Sequence, residues 1–224
     1  MEIKPIAHIK SDFKEKFGIP RQSGLTTLKA EIIFCPEFRN PDAIRGLKDF
    51  SHLWLIFDFS KAHRDEWSPT VRPPRLGGNT RVGVFATRSP FRPNPIGLSS
   101  VKLEEIKHTD NLGDVLIVSG ADLLDGTPIF DIKPYLPYSD AHTDASAGFT
   151  ESIDKAPLKV IIPSDLSAMI PEDKLEGLTS LLSQDPRPSY QSDGERVYKM
   201  LFADFEISFK VDGDTLNVID INNM

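Results

Sequence analysis

Short apolar runs, rich in β-branched and aromatic residues and bounded by turn-forming residues, mark the first two-thirds of the chain. They predict strands over 3–9, 30–34, 52–59, 81–86, 99–106, 115–119 and 128–132. One helix is predicted here, over 41–50. Asn40 is placed to cap it, Pro41 stands at its first position, and Ile44 and Leu47 share a face. No helices of 10–15 residues separate the strands, which argues against a parallel doubly wound sheet and for an antiparallel sheet curling toward a barrel. A second pattern begins near 155. A strand over 158–162 precedes a helix over 171–183, with Glu172 and Asp173 at its positive end and a stripe of Leu175, Leu178, Leu181 and Leu182. Asp185-Pro186-Arg187-Pro188 stops that helix, and runs at 197–211 and 215–221 flank a hairpin signal, Asp212-Gly213-Asp214. The polar, small-residue stretch 139–156 reads as a linker. The expected fold is mainly β with some α: an antiparallel, barrel-like domain over 1–150 and a small α+β domain over 155–224.

Composition narrows the class. The 224 residues are 39% hydrophobic and 26% charged, values of an ordinary globular chain that exclude a disordered or collagen-like one. No apolar run approaches the roughly 20 residues of a membrane span, and the N-terminus lacks the apolar region of a signal peptide. The expectation is a cytoplasmic protein with no membrane partner. One cysteine, Cys35, excludes an internal disulfide, and five scattered histidines offer no metal-ligand spacing, so no metal is expected. The net charge of −7 is unevenly spread. Residues 1–100 hold 16 Lys and Arg against 10 Asp and Glu, a balance of +6, whereas 101–224 hold 10 against 23, a balance of −13. Within 61–92, Lys61, Arg64, Arg72, Arg75, Arg81, Arg88 and Arg92 face only Asp65 and Glu66. Arginine suits planar recognition of phosphate and carboxylate, so this stretch attracts anions despite the acidic whole.

Residues 69–97 concentrate the chemistry. They hold six of the 18 prolines: Pro69, Pro73, Pro74, Pro90, Pro93 and Pro95. A proline-dense loop can be ordered without regular secondary structure, and its arginines are then pre-positioned. On residue types alone the segment reads equally as a rigid surface loop with solubilising arginines. Asp131, Lys133 and Tyr135 alternate along extended chain and so share one face, either a polar pocket wall or an edge strand with an exposed ion pair. Asp125-Gly126-Thr127-Pro128 reads as a tight turn.

The run Gly83-Val84-Phe85-Ala86-Thr87-Arg88-Ser89-Pro90-Phe91-Arg92-Pro93-Asn94-Pro95-Ile96-Gly97 closely resembles the signature of the TsaA-like, or TrmO, family. Phe50-Ser51-His52-Leu53-Trp54 upstream agrees, as do Asp125-Gly126-Thr127-Pro128 and Asp131-Ile132-Lys133-Pro134-Tyr135 downstream. The resemblance covers residues 1–150, and the tail looks like the C-terminal extension of bacterial members. It implies a β-barrel-like methyltransferase that uses S-adenosylmethionine (SAM), forms homodimers and acts on tRNA. The reaction implied is methylation of N6 of threonylcarbamoyl-adenosine beside the anticodon of threonine tRNA. No DNA partner is implied.

Carried over by position, cofactor contacts are implied for Gln22, Ser23, Gly24 and Leu25, for His63 and Arg64, for Arg88 and Leu98, and for Ser119, Gly120, Ala121, Asp122 and Leu123. Read alone, Ser23-Gly24 is a turn, His63 a solvated loop residue and Asp122 a turn acceptor. The sequence also departs from the family pattern where Ser60 replaces a histidine. Catalytic roles are implied for Arg88, Asp131, Lys133 and Tyr135, and substrate contacts for Arg72, Arg75, Arg81, Arg92, Asn94 and Tyr135. A composite site is expected, with the Asp131–Tyr135 segment of one chain beside the Arg88 loop of its partner. Two other functions fit the residues: a non-catalytic RNA- or nucleotide-binding module, and a SAM-dependent enzyme with a small-molecule acceptor. SAM binding separates the first from the enzyme, and methyl gain in bulk tRNA separates the second.

Overall fold

The segment His52–Asp58 buries Leu53, Leu55 and Phe57 and leaves His52, Trp54 and Ile56 on its other face. That alternation is repeated around six strands of the computed structural model, which describes residues 2–151, 156–188, 191 and 193–224, without the Arg75 side chain. The strands are β1 (Ala7–Lys10), β2 (Lys29–Phe34), β3 (His52–Asp58), β6 (Ile96–Thr109), β7 (Gly113–Ser119) and β8 (Pro128–Pro134). A two-residue bridge, β4 (Thr70–Val71) with β5 (Val82–Gly83), lies in the long connection before β6. The six strands pair in the order β1-β2-β7-β6-β3-β8, every pair is antiparallel, and β8 returns to β1. A closed ring of pairings leaves no free strand edge. Its interior is mostly aliphatic: Ala7, Ile9, Ala30, Ile32, Leu53, Leu55, Val101, Leu116, Val118 and Ile129. Gly97 is glycine for a packing reason, since a Cβ there would lie 2.2 Å from the buried Phe57 ring.

A second core forms around a sheet of order β10-β11-β12-β9, made by β9 (Lys159–Ile161), β10 (Tyr198–Phe202), β11 (Phe205–Asp212) and β12 (Thr215–Asn223). After the one-turn helices α1 (Pro137–Asp140) and α2 (Ser164–Ser167) comes α3 (Glu172–Ser183). The latter buries Leu178, Leu181 and Leu182 against Met200, Phe202 and Phe209. Phe13 and Leu28, from the segment between β1 and β2, join this core rather than the ring's. Gly177 of α3 makes room for Leu28, whose Cδ2 lies 2.3 Å from where a Cβ would stand. The connection between β1 and β2 thus sends Phe13 and Leu28 into the C-terminal core, while Ser11 and Gly24 bond back to Leu123 and Gly120 of the first half.

Several expectations need correction. The predicted helix over 41–50 is two 3-10 turns, Pro41–Ile44 and Leu47–Asp49, split by Gly46 at φ 85°. Asn40 does cap the first, its side chain accepting from the Asp42 amide. The predicted strand over 81–86 is only β5 followed by a 3-10 turn, Val84–Ala86, because Val84 turns inward and its amide donates to the Pro69 carbonyl. The first strand starts at Ala7, not at 3. The run 197–211 is two strands, broken at Ala203 with φ 51°, while the Asp212–Thr215 hairpin forms as expected. The stretch 139–156 begins inside α1 and carries a 3-10 turn at Gly148–Thr150, and its residues 152–155 lie outside the described residues.

Candidate active site

The outward residues of three adjacent strands make one wall. Trp54 of β3 stands opposite Ser100 of β6 and Lys133 of β8, and Ile56 stands opposite Leu98 and Asp131. Directly opposed residues share a face, so this register alone brings the two segments 98–100 and 131–135 to one surface. A cavity of about 480 Å³ opens there, lined by Ser23, His52, Trp54, Arg88, Leu98, Ser100 and Tyr135. Tyr135 packs on Trp54 with ring centroids 5.5 Å apart and on His52 at 6.2 Å, and its amide donates to the His52 carbonyl at 2.9 Å. Trp54 is fixed from behind: its Nε1 donates to Asp140 Oδ2 at 2.9 Å, and the Leu136 amide donates to the same oxygen at 2.8 Å. The Leu136 amide and the indole together hold the Asp140 carboxyl below the usual aspartate range.

The opposite wall is loop-built. Arg88 Nη1 donates to Gln22 Oε1, which joins the proline-rich loop to the segment 21–25. Gly24 has φ 78° and its amide donates to the Gly120 carbonyl at 2.8 Å. A Cβ on Gly120 would stand 3.2 Å from Gly24 Cα, so two glycines let these backbones meet. Two residues on, Asp122 Oδ1 accepts from Ser99 Oγ at 2.6 Å. Burial pushes the Asp122 carboxyl up, against the downward pull of the Ser99 hydroxyl, its own amide, the Arg88 charge and the Ser23 amide. Arg88 and Ser23 on one side and Trp54, Leu98 and Tyr135 on the other give the cavity a polar end and an apolar end, with the Asp122 carboxyl close behind the polar one. From outside, Ser180 Oγ and Gln184 Nε2 of the C-terminal half both donate to the Leu25 carbonyl, and Arg21 donates to the carbonyls of Asp185 and Arg187 at 3.1 Å.

The structure thus brings Ser23, Arg88, Leu98 and Tyr135 to the cavity itself, with Gln22, Gly24, Gly120 and Asp122 directly behind its walls. Arg88 and Tyr135 line one cavity of a single chain. Asp131 and Lys133 lie on the same outer face, paired with each other at 2.8 Å, but do not line the cavity. Ser119 donates to Glu104 at 2.6 Å, while Ala121 and Leu123 are core residues of the ring, so only the backbone of that pair is free to face a ligand. His63 Nε2 sits 2.7 Å from Asp58 Oδ1, and Arg64 stacks 3.7 Å over the Phe91 ring, both away from the cavity lining. Leu25 is exposed, Arg81 donates to Thr70 Oγ1, and Arg92 to the carbonyls of Val84 and Thr87. Arg72 and Asn94 are exposed, and the Arg75 side chain lies outside the described residues.

Sequence reasoning missed His52, Trp54, Ser100 and Asp140. The first two stand in the block 50–54, and alternation with the buried Leu53 and Leu55 would have sent both outward. Ser100 follows from the same alternation on β6. Nothing in the polar stretch 139–156 distinguished Asp140 from its neighbours. Among the described residues, no group of three His, Cys, Asp or Glu could hold a metal ion, and no helix is long and apolar enough to cross a membrane.

Comparison with known proteins decides the family. Residues 8–141 match the tRNA-methyltransferase O N-terminal domain and residues 155–224 the TrmO C-terminal domain. The chain belongs to the tRNA-methyltransferase O family. Within this family it is 43% identical over 220 residues to the tRNA (adenine(37)-N6)-methyltransferase of Escherichia coli K12, covering 94% of this chain and 93% of that one. It is 39% identical over 231 residues to a putative S-adenosylmethionine-dependent methyltransferase of Pseudomonas aeruginosa, covering 98% of this chain and 96% of the other. The crystal structure of TrmO from Pseudomonas aeruginosa superposes with a TM-score of 0.79 at 33% identity, covering 100% of this chain and 99% of that one. The cavity walls just described all fall within the tRNA-methyltransferase O N-terminal match.

Proposed function

We propose that this chain is a SAM-dependent methyltransferase acting on N6 of adenosine 37 of tRNA, with threonylcarbamoyl-adenosine in threonine tRNA as the preferred substrate. One observation carries the reading: a single cavity joins Arg88, Ser23 and the nearby Asp122 to the exposed apolar surface of Trp54, Leu98 and Tyr135. These groups fit SAM. The cavity's volume is in the range of small-ligand sites, and it offers a guanidinium and a hydroxyl beside aromatic and aliphatic surface. In this proposal Arg88 receives the cofactor's carboxylate, Asp122 accepts from a hydroxyl or amino group, and Leu98 packs against the adenine. When bound, SAM supplies an electrophilic methyl group whose carrier departs neutral, so no acid is needed at the leaving atom.

The protein's share is then mostly positioning in a dry pocket. Tyr135, held against Trp54 and His52, offers a ring for the acceptor adenine. Lys133, on the same face, meets the carboxylate of the threonylcarbamoyl group, and Arg72, Arg81 and Asn94 face the phosphates around it, while Arg92 holds their loop through the Val84 and Thr87 carbonyls. One carboxylate or a water suffices to take the proton that the acceptor nitrogen sheds. We take residues 1–150 as the catalytic unit and 155–224 as the unit that braces the loop 21–25, in a cytoplasmic homodimer. Incubation with SAM and bulk tRNA, followed by digestion to nucleosides, tests the whole. One methyl gained on threonylcarbamoyl-adenosine is the expected result. RNA binding indifferent to SAM would replace the enzyme with a binding module, and methyl gain on unmodified adenosine would remove the finer substrate.

A further inference from the structure

Phe85 is 72% exposed and Trp67 is 53% exposed, yet they lie side by side with ring centroids 6.3 Å apart and planes 29° from parallel. Neither is there for want of order around it. Val84, next to Phe85, is buried, and its amide donates to the Pro69 carbonyl at 2.9 Å. Arg92 ties the turn from below, donating to the Val84 carbonyl at 3.2 Å and to the Thr87 carbonyl at 2.7 Å, with its guanidinium carbon 5.8 Å from the Phe85 ring centre. An anchored turn therefore presents a two-ring apolar surface to solvent, and Arg88 of the cavity stands three residues farther along the same segment.

A flat partner fits these rings, and the surrounding charge says which. Residues 61–92 carry seven Lys and Arg against two acids. A second copy of this chain would set the same cationic stretch against itself, which like charges oppose. A polyanion with exposed ring faces satisfies both features at once. We infer that Phe85 and Trp67 form a stacking platform for unpaired bases of the RNA substrate beside the nucleotide being modified. This rests on the proposal that the substrate is tRNA. RNA proteins recognise splayed loop bases in this way, on aromatic faces within a cationic groove, and stacking is indifferent to salt whereas phosphate contacts are not.

The experiment measures binding of a synthetic anticodon stem–loop RNA to the full chain by fluorescence anisotropy across a salt series. Phe85→Ala and Phe85→Leu should each weaken binding about tenfold, as expected for a lost base–ring stack, with the slope against salt unchanged. Phe85→Tyr should bind within about twofold of the parent, since the ring is what matters. Arg81→Gln should instead lower the salt slope. The melting temperature and SAM affinity of the Phe85 variants should match the parent. Undiminished RNA binding by Phe85→Ala overturns the platform. So does a Phe85→Leu variant that binds as well as the parent, because leucine keeps the apolar area without the ring. A smaller sedimenting species for Phe85→Ala would assign the patch to a second copy of the chain instead. If the parent chain methylates tRNA while Phe85→Ala binds RNA normally, only the platform fails; if the parent transfers no methyl to tRNA, the function proposed above fails with it.

Discussion

The six-stranded ring and the C-terminal sheet bury apolar residues to a similar degree but with different side chains and different outer faces. The ring's interior is mostly aliphatic, and its outer face over β3, β6 and β8 carries Trp54, Leu98, Ser100 and Tyr135 around a cavity. The C-terminal core is richer in aromatic rings, with Phe209 stacked on Phe17 and on Tyr198 at 6.4 and 5.6 Å, and that half meets the cavity wall at the loop 21–25. One half presents the cavity, and the other holds the loop 21–25 in its wall. That division is physically economical, because a closed ring already satisfies its edges and can expose one face, whereas the loop between β1 and β2 has no strand partner of its own.

The largest expected effect lies in the aromatic core. Phe209 is fully buried and in two ring contacts, so Phe209→Ala should cost about 3–5 kcal/mol of stability, read from thermal or denaturant unfolding. If the halves are as coupled as Phe13 and Leu28 suggest, the ring should unfold in the same transition. Two separated transitions, with the ring unmoved, would break the coupling and leave two independent units.

Arg88 comes next. Its side chain is exposed and makes no core contact, so Arg88→Ala should leave the melting temperature within about 1 °C, a surface-type change. SAM affinity, read by calorimetry, should fall on the order of ten- to a hundredfold, the range for one lost hydrogen bond to a charged group. Normal affinity would move the polar end of the cavity elsewhere.

What the sequence revealed of this division follows from which signals are local. Strand alternation, the Asp212–Thr215 hairpin and helix α3 are set by residues near one another, and all three were legible. Gly46 and Ala203 were not, because a single positive φ inside an apolar run breaks an element without changing its composition. Arg88, Leu98 and Tyr135 were found through the family signature, while their meeting depends on the register of β3 with β6 and β8, which no local pattern states. Asp140 was invisible for the same reason. Its partner, Trp54, lies 86 residues earlier in the chain.

A smaller effect tests the brace itself. Gln184→Ala removes one of the two side-chain donors to the Leu25 carbonyl and leaves Ser180 in place. The expected loss is about 0.5–1.5 kcal/mol, seen as a two- to tenfold weakening of SAM binding with little change in melting temperature. Restored binding in Gln184→Asn would argue that the shorter amide still reaches, and Gln184→Glu, which has no donor, should remain weak. If melting falls while binding holds, the contact joins the two halves for stability alone and does not position the loop for the cofactor.

The smallest effect is a pH dependence, and its sign discriminates between burial and charge at the cavity wall. Burial raises the Asp122 carboxyl above its unfolded value even though Ser99 and Arg88 pull it down. Between the ordinary aspartate range and that raised value, the folded chain keeps a proton that the unfolded chain has released. Asp122 therefore contributes stability that is complete below the unfolded value and is lost as pH rises through the folded one. Glu104 and Asp140 act in the opposite sense, since the Ser119 hydroxyl and the Leu136 amide hold them low, so the parent curve mixes both slopes. Asp122→Asn isolates one of them, because the amide oxygen can still accept from Ser99 Oγ but does not titrate. The difference between the two stability curves should favour the Asn variant increasingly as pH rises through that window, then level off once both forms of Asp122 are ionised. A difference running the other way would mean that the Arg88 charge outweighs burial, and that the cavity wall beneath the ring's outer face is wetter and more polar than the aliphatic core behind it.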